Sequence, residues 1–201
     1  MDTTTAALPE LDAAAREDLI ATYRHLHRTP ELSMQEHATA DYIAGRLDGL
    51  GIENFRSGGT GVVGILRNGE GPTVAFRADT DGLPIQEATG LDYASTATGA
   101  LDDGTEVPVM HGCGHDTHVA VLLTVAELLA GAREAWAGTV VLIFQPGEET
   151  GAGAKAMLAD GLWDKAPAPE VVYGQHVMPA LAGTVRYTVG DALTMADSWR
   201  V

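Results

Sequence analysis

Residues 139–144 (TVVLIF) constrain the fold of this 201-residue chain more than any other segment. The run is continuously apolar, which is typical of a central strand that is covered on both faces. Four helical patterns and five further β-type runs accompany it. The helical patterns lie at residues 11–27, 33–50, 116–130 and 153–158, and the β-type runs lie at 52–56, 62–66, 73–77, 171–176 and 183–189. This alternation predicts an α/β fold with a mixed, mostly parallel sheet flanked by helices.

Local signals refine this expectation. Asn68-Gly69 separates the β-type runs at 62–66 and 73–77, which suggests a hairpin. Ser33 and Glu36 have the spacing of a capping box, which would start the second helix at residue 33. The apolar run at 171–176 is expected to be a buried strand.

The charge balance excludes several classes of partner. Lys and Arg number 12 and Asp and Glu number 28, for a formal net charge of −16. Such an acidic chain is not expected to bind nucleic acid or an anionic membrane surface. The single cysteine allows no internal disulfide, and we expect a reducing, cytoplasmic location. Residues 1–9 do not resemble a secretory signal and are expected to form a flexible tail.

The segment HGCGHD at residues 111–116 is the first candidate for chemistry. In an extended loop, alternation would place His111, Cys113 and His115 on one side, and the glycines would let the backbone approach a bound group. The N-terminal dipole of a helix that opens at Asp116 would favour a thiolate at Cys113. Any one of these residues alone could be a free cysteine or an unrelated histidine in a loop. Three such residues that alternate with glycine instead favour a functional site.

Three further polar clusters follow predicted strands, where ligands bind in open α/β sheets. Glu148 and Glu149 are adjacent carboxylates. Either one of them binds a cation while the other transfers a proton, or both belong to a solvated acidic turn. His176 lies at the end of a predicted strand. It is either a metal ligand or a core histidine whose hydrogen bonds are satisfied. Asp81 either orients a ligand histidine or belongs to an Asp-Gly turn.

Together these residues offer one thiolate, two imidazoles and one or two carboxylates. A mixed set of sulfur, nitrogen and oxygen donors suits Zn²⁺, Mn²⁺, Co²⁺ or Ni²⁺ better than Ca²⁺ or Mg²⁺. Two ions about 3.5–4 Å apart would use all of these donors. The sequence therefore predicts a site for two divalent metal ions.

Five stretches, in order, make the chain resemble the aminoacylase/carboxypeptidase-type metallopeptidases. The resemblance is to the amidohydrolase branch with hippurate hydrolases and indole-acetyl-amino-acid hydrolases. The stretches are HRTPEL at 27–32, RADTDGLP at 77–84, MHGCGHD at 110–116, FQPGEE at 144–149 and GQHV at 174–177. The resemblance implies a zinc-exopeptidase-like catalytic domain that hydrolyses the amide bond of N-acyl amino acids.

The resemblance also implies individual roles. Cys113 would be the bridging thiolate ligand, with His115, Glu149 and His176 as further metal ligands. Glu148 would be the general base that takes a proton from the attacking water.

Asp81 resembles an aspartate that follows the first metal histidine in related peptidase branches, and Asp79 stands where that histidine would be. Family members are longer and carry a second, smaller domain with dimer contacts. The resemblance thus implies that residues 10–195 are the N-terminal part of a catalytic domain and that residues 196–201 begin a truncated lid and dimerisation domain. It suggests a homodimer formed through that domain.

Two other hypotheses remain open at this level. In one, Cys113 is a nucleophile and His115 its base. In the other, the chain is a truncated, non-catalytic fragment with an incomplete metal site.

Overall fold

A computed structural model of the chain describes residues 10–190. The predicted tail at 1–9 and the predicted start of a second domain at 196–201 lie outside this range. The described part contains five α-helices and seven β-strands. The helices are α1 (Ala13–Arg28), α2 (His37–Gly49), α3 (His115–Gly131), α4 (Gly153–Ala159) and α5 (Leu162–Lys165), and the strands are β1 (Glu53–Ser57), β2 (Gly61–Asn68), β3 (Thr73–Asp79), β4 (Thr98–Ala100), β5 (Glu106–Pro108), β6 (Gly138–Gln145) and β7 (Val171–Gly174).

Five of these strands form one mixed sheet in the order β1-β2-β6-β3-β7, and β4 and β5 form a separate hairpin. The pairs β1–β2 and β2–β6 are antiparallel, whereas β3–β6 and β3–β7 are parallel. Helices flank this sheet, so the predicted α/β class is confirmed.

The predicted hairpin between β2 and β3 is wrong, because β6 lies between the two strands. The connection instead passes over the start of β6, where the amide of Thr139 donates to the carbonyl of Pro72 at 3.0 Å. Gly138 allows this crossing: its φ is 119°, and a Cβ would lie 2.4 Å from the Pro72 oxygen. The Asn-Gly pair at the end of β2 therefore predicts a turn, but it does not predict which strand pairs with β2.

The core has two parts, one on each face of the sheet. On one face, α1, α2 and α3 pack against alternate residues of β6, among them Leu142 and Phe144. On the other face, α4 and α5 pack against Val141 and Ile143. Burial of each such side chain contributes roughly 1.5–3 kcal/mol. Residues 140–144 of this strand are apolar because both of its faces are covered.

Helix α2 begins at His37 rather than at residue 33, and the predicted capping box is wrong. Its free amides are satisfied by Glu31, whose carboxylate accepts hydrogen bonds from the amides of Ala38 (3.0 Å) and Thr39 (2.8 Å). The residues expected to form the box, Ser33 and Glu36, are turned toward other partners, described below.

Strand β7 is an exposed edge rather than the predicted buried strand, because β3 is its only partner in the described part of the sheet. Residues 183–189 form no strand, contrary to the prediction. Among residues 10–190, no helix has the length and apolar character needed to cross a membrane.

Candidate metal centre

The candidate site lies where the parallel strands β3 and β6 reach the same edge of the sheet. Asp79 ends β3 and pairs in register with Gln145 at the end of β6. Asp81 follows two residues later, and a turn at the end of β6 carries Glu148 and Glu149. Helix α3 begins at this edge with His115. Carboxyl ends of parallel strands commonly form such sites, since the following loops converge there.

The HGCGHD segment is not extended throughout. Gly114 has a φ of 82°, and this left-handed residue ends the loop so that His115 becomes the first residue of α3. Within residues 10–190, His111 belongs to neither group of side chains that can share a metal ion, so the donor group contains Cys113 and His115 without it. His111 is buried instead, and this burial lowers its pKa to about 4.

The first group of metal-type donors consists of Cys113, His115 and Glu149, each offering one ligand atom within 4.8 Å of the others. His115 Nε2 lies 3.8 Å from Glu149 Oε1. Both atoms are buried and have no hydrogen-bond partner in the described part of the chain. Buried polar atoms without partners are costly and rare, and a shared cation would satisfy both. The thiol, imidazole and carboxylate therefore fit a divalent ion of the Zn²⁺ type.

The thiol of Cys113 is protonated without a cation. Burial and the negative charges of Glu149 and Glu148 raise its pKa to about 12. The predicted effect of the helix dipole on this thiol is therefore wrong for the metal-free protein, because burial and nearby carboxylates dominate. A thiol with this pKa is a poor nucleophile, which argues against cysteine catalysis. Metal coordination deprotonates such a thiol.

Asp81 fixes the ring of His115. His115 Nδ1 lies 2.9 Å from the backbone oxygen of Asp81 and 3.2 Å from its Oδ1, which leaves Nε2 on the side of the donor group. The other carboxylate oxygen accepts hydrogen bonds from Ser33 Oγ (2.6 Å) and from the amide of Glu149 (3.0 Å). Burial acts to raise the pKa of Asp81, but these hydrogen bonds outweigh it and lower the pKa. This geometry suits a carboxylate that orients a ligand histidine.

A second group contains Asp79, His115, His118 and His176, whose ligand atoms also lie within 4.8 Å of one another. Because His115 belongs to both groups, the two groups adjoin. His176 is exposed, and its ring centroid lies 5.8 Å from that of His115. The structure thus brings His176 beside the other predicted ligands.

His118 is held by its neighbours at both ring nitrogens. Its Nδ1 lies 2.6 Å from Asp79 Oδ1, and its Nε2 accepts the amide of Val177 at 3.0 Å. Burial acts to raise the pKa of Asp79, but the hydrogen bond with His118 and the charge of Arg77 outweigh it, and the pKa falls to about 2. In this arrangement His118 connects Asp79 to the segment that carries His176. His118 was not among the predicted site residues, although its spacing of three from His115 places both on one helix face.

Glu148 extends toward the same site but remains accessible. Its side chain is 40% exposed, compared with 22% for Glu149, and its Oε2 lies 3.9 Å from His115 Nε2. The acidic turn thus has a more buried carboxylate in the donor group and a more exposed one beside it.

These features define an α/β protein of the metallopeptidase type, with mixed donors at the carboxyl ends of its strands. Residues 75–197 match the sequence model of Peptidase family M20/M25/M40. The chain belongs to this family, and the predicted resemblance is confirmed.

Two relatives and one solved structure illustrate the similarity. The chain is 42% identical over 188 residues to an N-acetyl-L-cysteine deacetylase of Bacillus subtilis (strain 168), covering 92% of this chain and 42% of that protein. It is 37% identical over 195 residues to IAA-amino acid hydrolase ILR1-like 5 of Arabidopsis thaliana, covering 94% of this chain and 42% of that protein. The YXEP protein of Bacillus subtilis, described as a dinuclear metal-binding peptidase from the M20 family, superposes with a TM-score of 0.74 at 38% identity, over 84% of this chain and 45% of that one. The chain thus spans less than half the length of these relatives.

Proposed function

We propose that this chain carries the metal ligands and the general base for hydrolysis of the amide bond of N-acyl amino acids. The observation that carries the proposal is the pair of buried, unpartnered atoms, His115 Nε2 and Glu149 Oε1, beside the Cys113 thiol and next to Glu148. The names of the two relatives, a deacetylase of N-acetyl-L-cysteine and an IAA-amino acid hydrolase, support this substrate class.

Cys113, His115, Glu149 and His176 would hold two divalent ions, with the Cys113 thiolate among their ligands. When bound, these ions supply Lewis acidity to the scissile carbonyl and to the attacking water. We propose Zn²⁺ or Mn²⁺, with Co²⁺ or Ni²⁺ as alternatives, since the donor set accepts several such ions.

The chain's own residues would then handle the proton. Glu148 accepts a proton from the attacking water and donates it to the amine that leaves, so no covalent intermediate with the protein is required. Its accessible side chain is suited to this transfer. Asp81 keeps Nε2 of His115 toward the donor group through its contacts at Nδ1.

Glu148→Gln tests the proposal. Hydrolysis of a panel of N-acetyl amino acids is measured on the metal-loaded protein, with metal content determined in parallel. Loss of the general base is expected to lower kcat by about 10²–10⁴-fold, with metal content unchanged. Glu70→Gln is the matched control, because it makes the same change at an exposed position away from the site.

An unchanged rate in the Glu148→Gln protein would refute the assignment of the base. Metal binding by the wild-type chain without hydrolysis of any panel member would instead support the non-catalytic alternative.

The wider setting of this chain is also a proposal. We propose a cytoplasmic protein, since its only cysteine is placed to act as a ligand. The partner is a small-molecule substrate rather than nucleic acid or membrane, in keeping with the net charge of −16. Residues 10–195 would be the N-terminal part of the catalytic domain and residues 196–201 the start of a domain through which the protein dimerises.

A further inference from the structure

Glu36 is a fully buried carboxylate outside the donor groups. Its exposure is 0%, although it stands only one residue before α2. Its side chain makes no capping hydrogen bond to this helix. The reason for burying a charge-bearing group here must therefore lie in its other contacts.

Those contacts join two distant turns. Glu36 Oε1 accepts hydrogen bonds from the amide of Met34 at 2.9 Å and from the amide of Gly147 at 2.8 Å. Its Oε2 accepts a hydrogen bond from the hydroxyl of Thr60. One carboxylate thus links the segment before α2, the turn between β1 and β2, and the turn after β6.

Both turns have left-handed backbone conformations. Met34 has a φ of 64° and is the only non-glycine residue with positive φ among those described, and Gly147 has a φ of 54°. The two also touch, since a Cβ on Gly147 would lie 2.6 Å from the sulfur of Met34. A left-handed conformation is unfavourable for a non-glycine residue, and the hydrogen bond from the Met34 amide to Glu36 supports this turn.

Burial of Glu36 is itself unfavourable, because all three donors are neutral groups. The same burial raises its pKa, even though the hydrogen bonds act in the opposite direction. A chain that needed only to fill this space would do so at lower cost with an apolar side chain. The acceptor function of Glu36 is therefore the property that the structure uses.

We propose that Glu36 is a positioning residue for the candidate metal centre. By holding the amide of Gly147, it sets the turn that presents Glu148 and Glu149 to Cys113 and His115. This inference rests on the proposed metal-dependent function, and it assigns to Glu36 a role outside direct metal contact.

Co²⁺ binding provides the first test, on the purified chain with Co²⁺ as the only added metal. Glu36→Ala should weaken Co²⁺ binding by about 10–100-fold, as is typical when a group supporting a metal ligand is lost. Glu36→Gln keeps the length of the side chain and a carbonyl acceptor, so its affinity should stay closer to that of wild type.

Glu31→Ala is the matched control. Glu31 is also a carboxylate that accepts backbone amides next to α2, but its partners are Ala38 and Thr39, not the turn after β6. This variant should lower the unfolding temperature and leave Co²⁺ affinity unchanged. If Glu36→Ala does not fold, Glu36→Asp replaces it, since Asp keeps the charge but is one methylene too short to hold both turns. Its Co²⁺ affinity should fall below that of Glu36→Gln.

Hydrogen exchange of the Gly147 amide provides a second test that needs no metal. Exchange should accelerate in the Glu36→Ala or Glu36→Asp protein and remain slow in Glu31→Ala. If the variants at Glu36 keep wild-type exchange and wild-type Co²⁺ affinity, or if Glu31→Ala loses as much affinity, the positioning role is refuted. If Gly147 exchange responds as expected but the wild-type chain binds no Co²⁺, the proposed function fails while the control of the turn by Glu36 stands.

Discussion

The thiol of Cys113 offers a quantitative test of the site's electrostatics. Its pKa of about 12, compared with an ordinary value of 9.0, lowers the thiolate fraction near pH 8 by about three orders of magnitude. A thiolate of higher pKa is intrinsically more nucleophilic, with a Brønsted coefficient of about 0.4–0.5. The two effects combine to predict thiol–disulfide exchange that is roughly 30–60-fold slower than at an ordinary thiol.

The assay is the reaction of the metal-free chain with an aromatic disulfide at pH 8, compared with the same chain unfolded in guanidinium. Cys113 is the only cysteine, so the signal has one source. The folded chain should react more slowly by the stated factor, and added Zn²⁺ should release a proton as the thiol becomes a ligand. A folded chain that reacts as fast as the unfolded one, or faster, would refute the reasoning that burial and carboxylates dominate at this position. Cys113→Ser should weaken metal binding.

Two further outcomes concern stability. Gly147→Ala should destabilise the chain by at least the roughly 1–2 kcal/mol of a left-handed alanine. A Cβ there would lie 3.2 Å from the backbone nitrogen of Gly153 and 2.6 Å from the sulfur of Met34. Chemical denaturation checks this, and Gly69→Ala is the control that should cost less, since its φ is also positive but its Cβ would meet open space. Burial acts to lower the pKa of His27, but hydrogen bonds to Asp116 and Glu87 outweigh it and raise the pKa above 6.5. The resulting stabilisation is complete below pH 6.5 and is lost as pH rises through the folded-state pKa; His27→Gln should lack this pH dependence in denaturation curves, and an unchanged curve would contradict it.

The fold class was predictable because β6 contains the uninterrupted apolar run at residues 140–144, which requires cover on both faces of the sheet. The strand order was not predictable, since the Asn68-Gly69 turn has the same local sequence whether or not another strand lies between β2 and β3. The exposure of β7 was also not predictable from the sequence. An apolar run indicates the environment that a strand prefers, but it does not indicate how many strands pair with it. The true cap of α2 also lay outside local pattern rules, as Glu31 caps from seven residues upstream of Ala38.

The candidate site was partly predictable from the sequence. The structure brings Cys113 and His115, at the start of α3, together with Glu149, in the turn after β6. His111, which alternates with these residues in the sequence, is buried and belongs to neither donor group among residues 10–190. Glu36 could not be found as part of this site, since its link to Gly147 joins residues 111 positions apart.

The turn after β6 shows how the fold separates two adjacent carboxylates. The amide of Gly147 is held by Glu36 and the amide of Glu149 by Asp81, so a buried carboxylate fixes the backbone on each side of Glu148. Glu149 is thereby fixed close to Cys113 and His115, where a ligand must be rigid. Glu148 lies between the two anchors with its side chain 40% exposed, where a proton carrier has access to water. The different roles proposed for these neighbours thus follow from the backbone that supports them, since the two side chains are chemically identical.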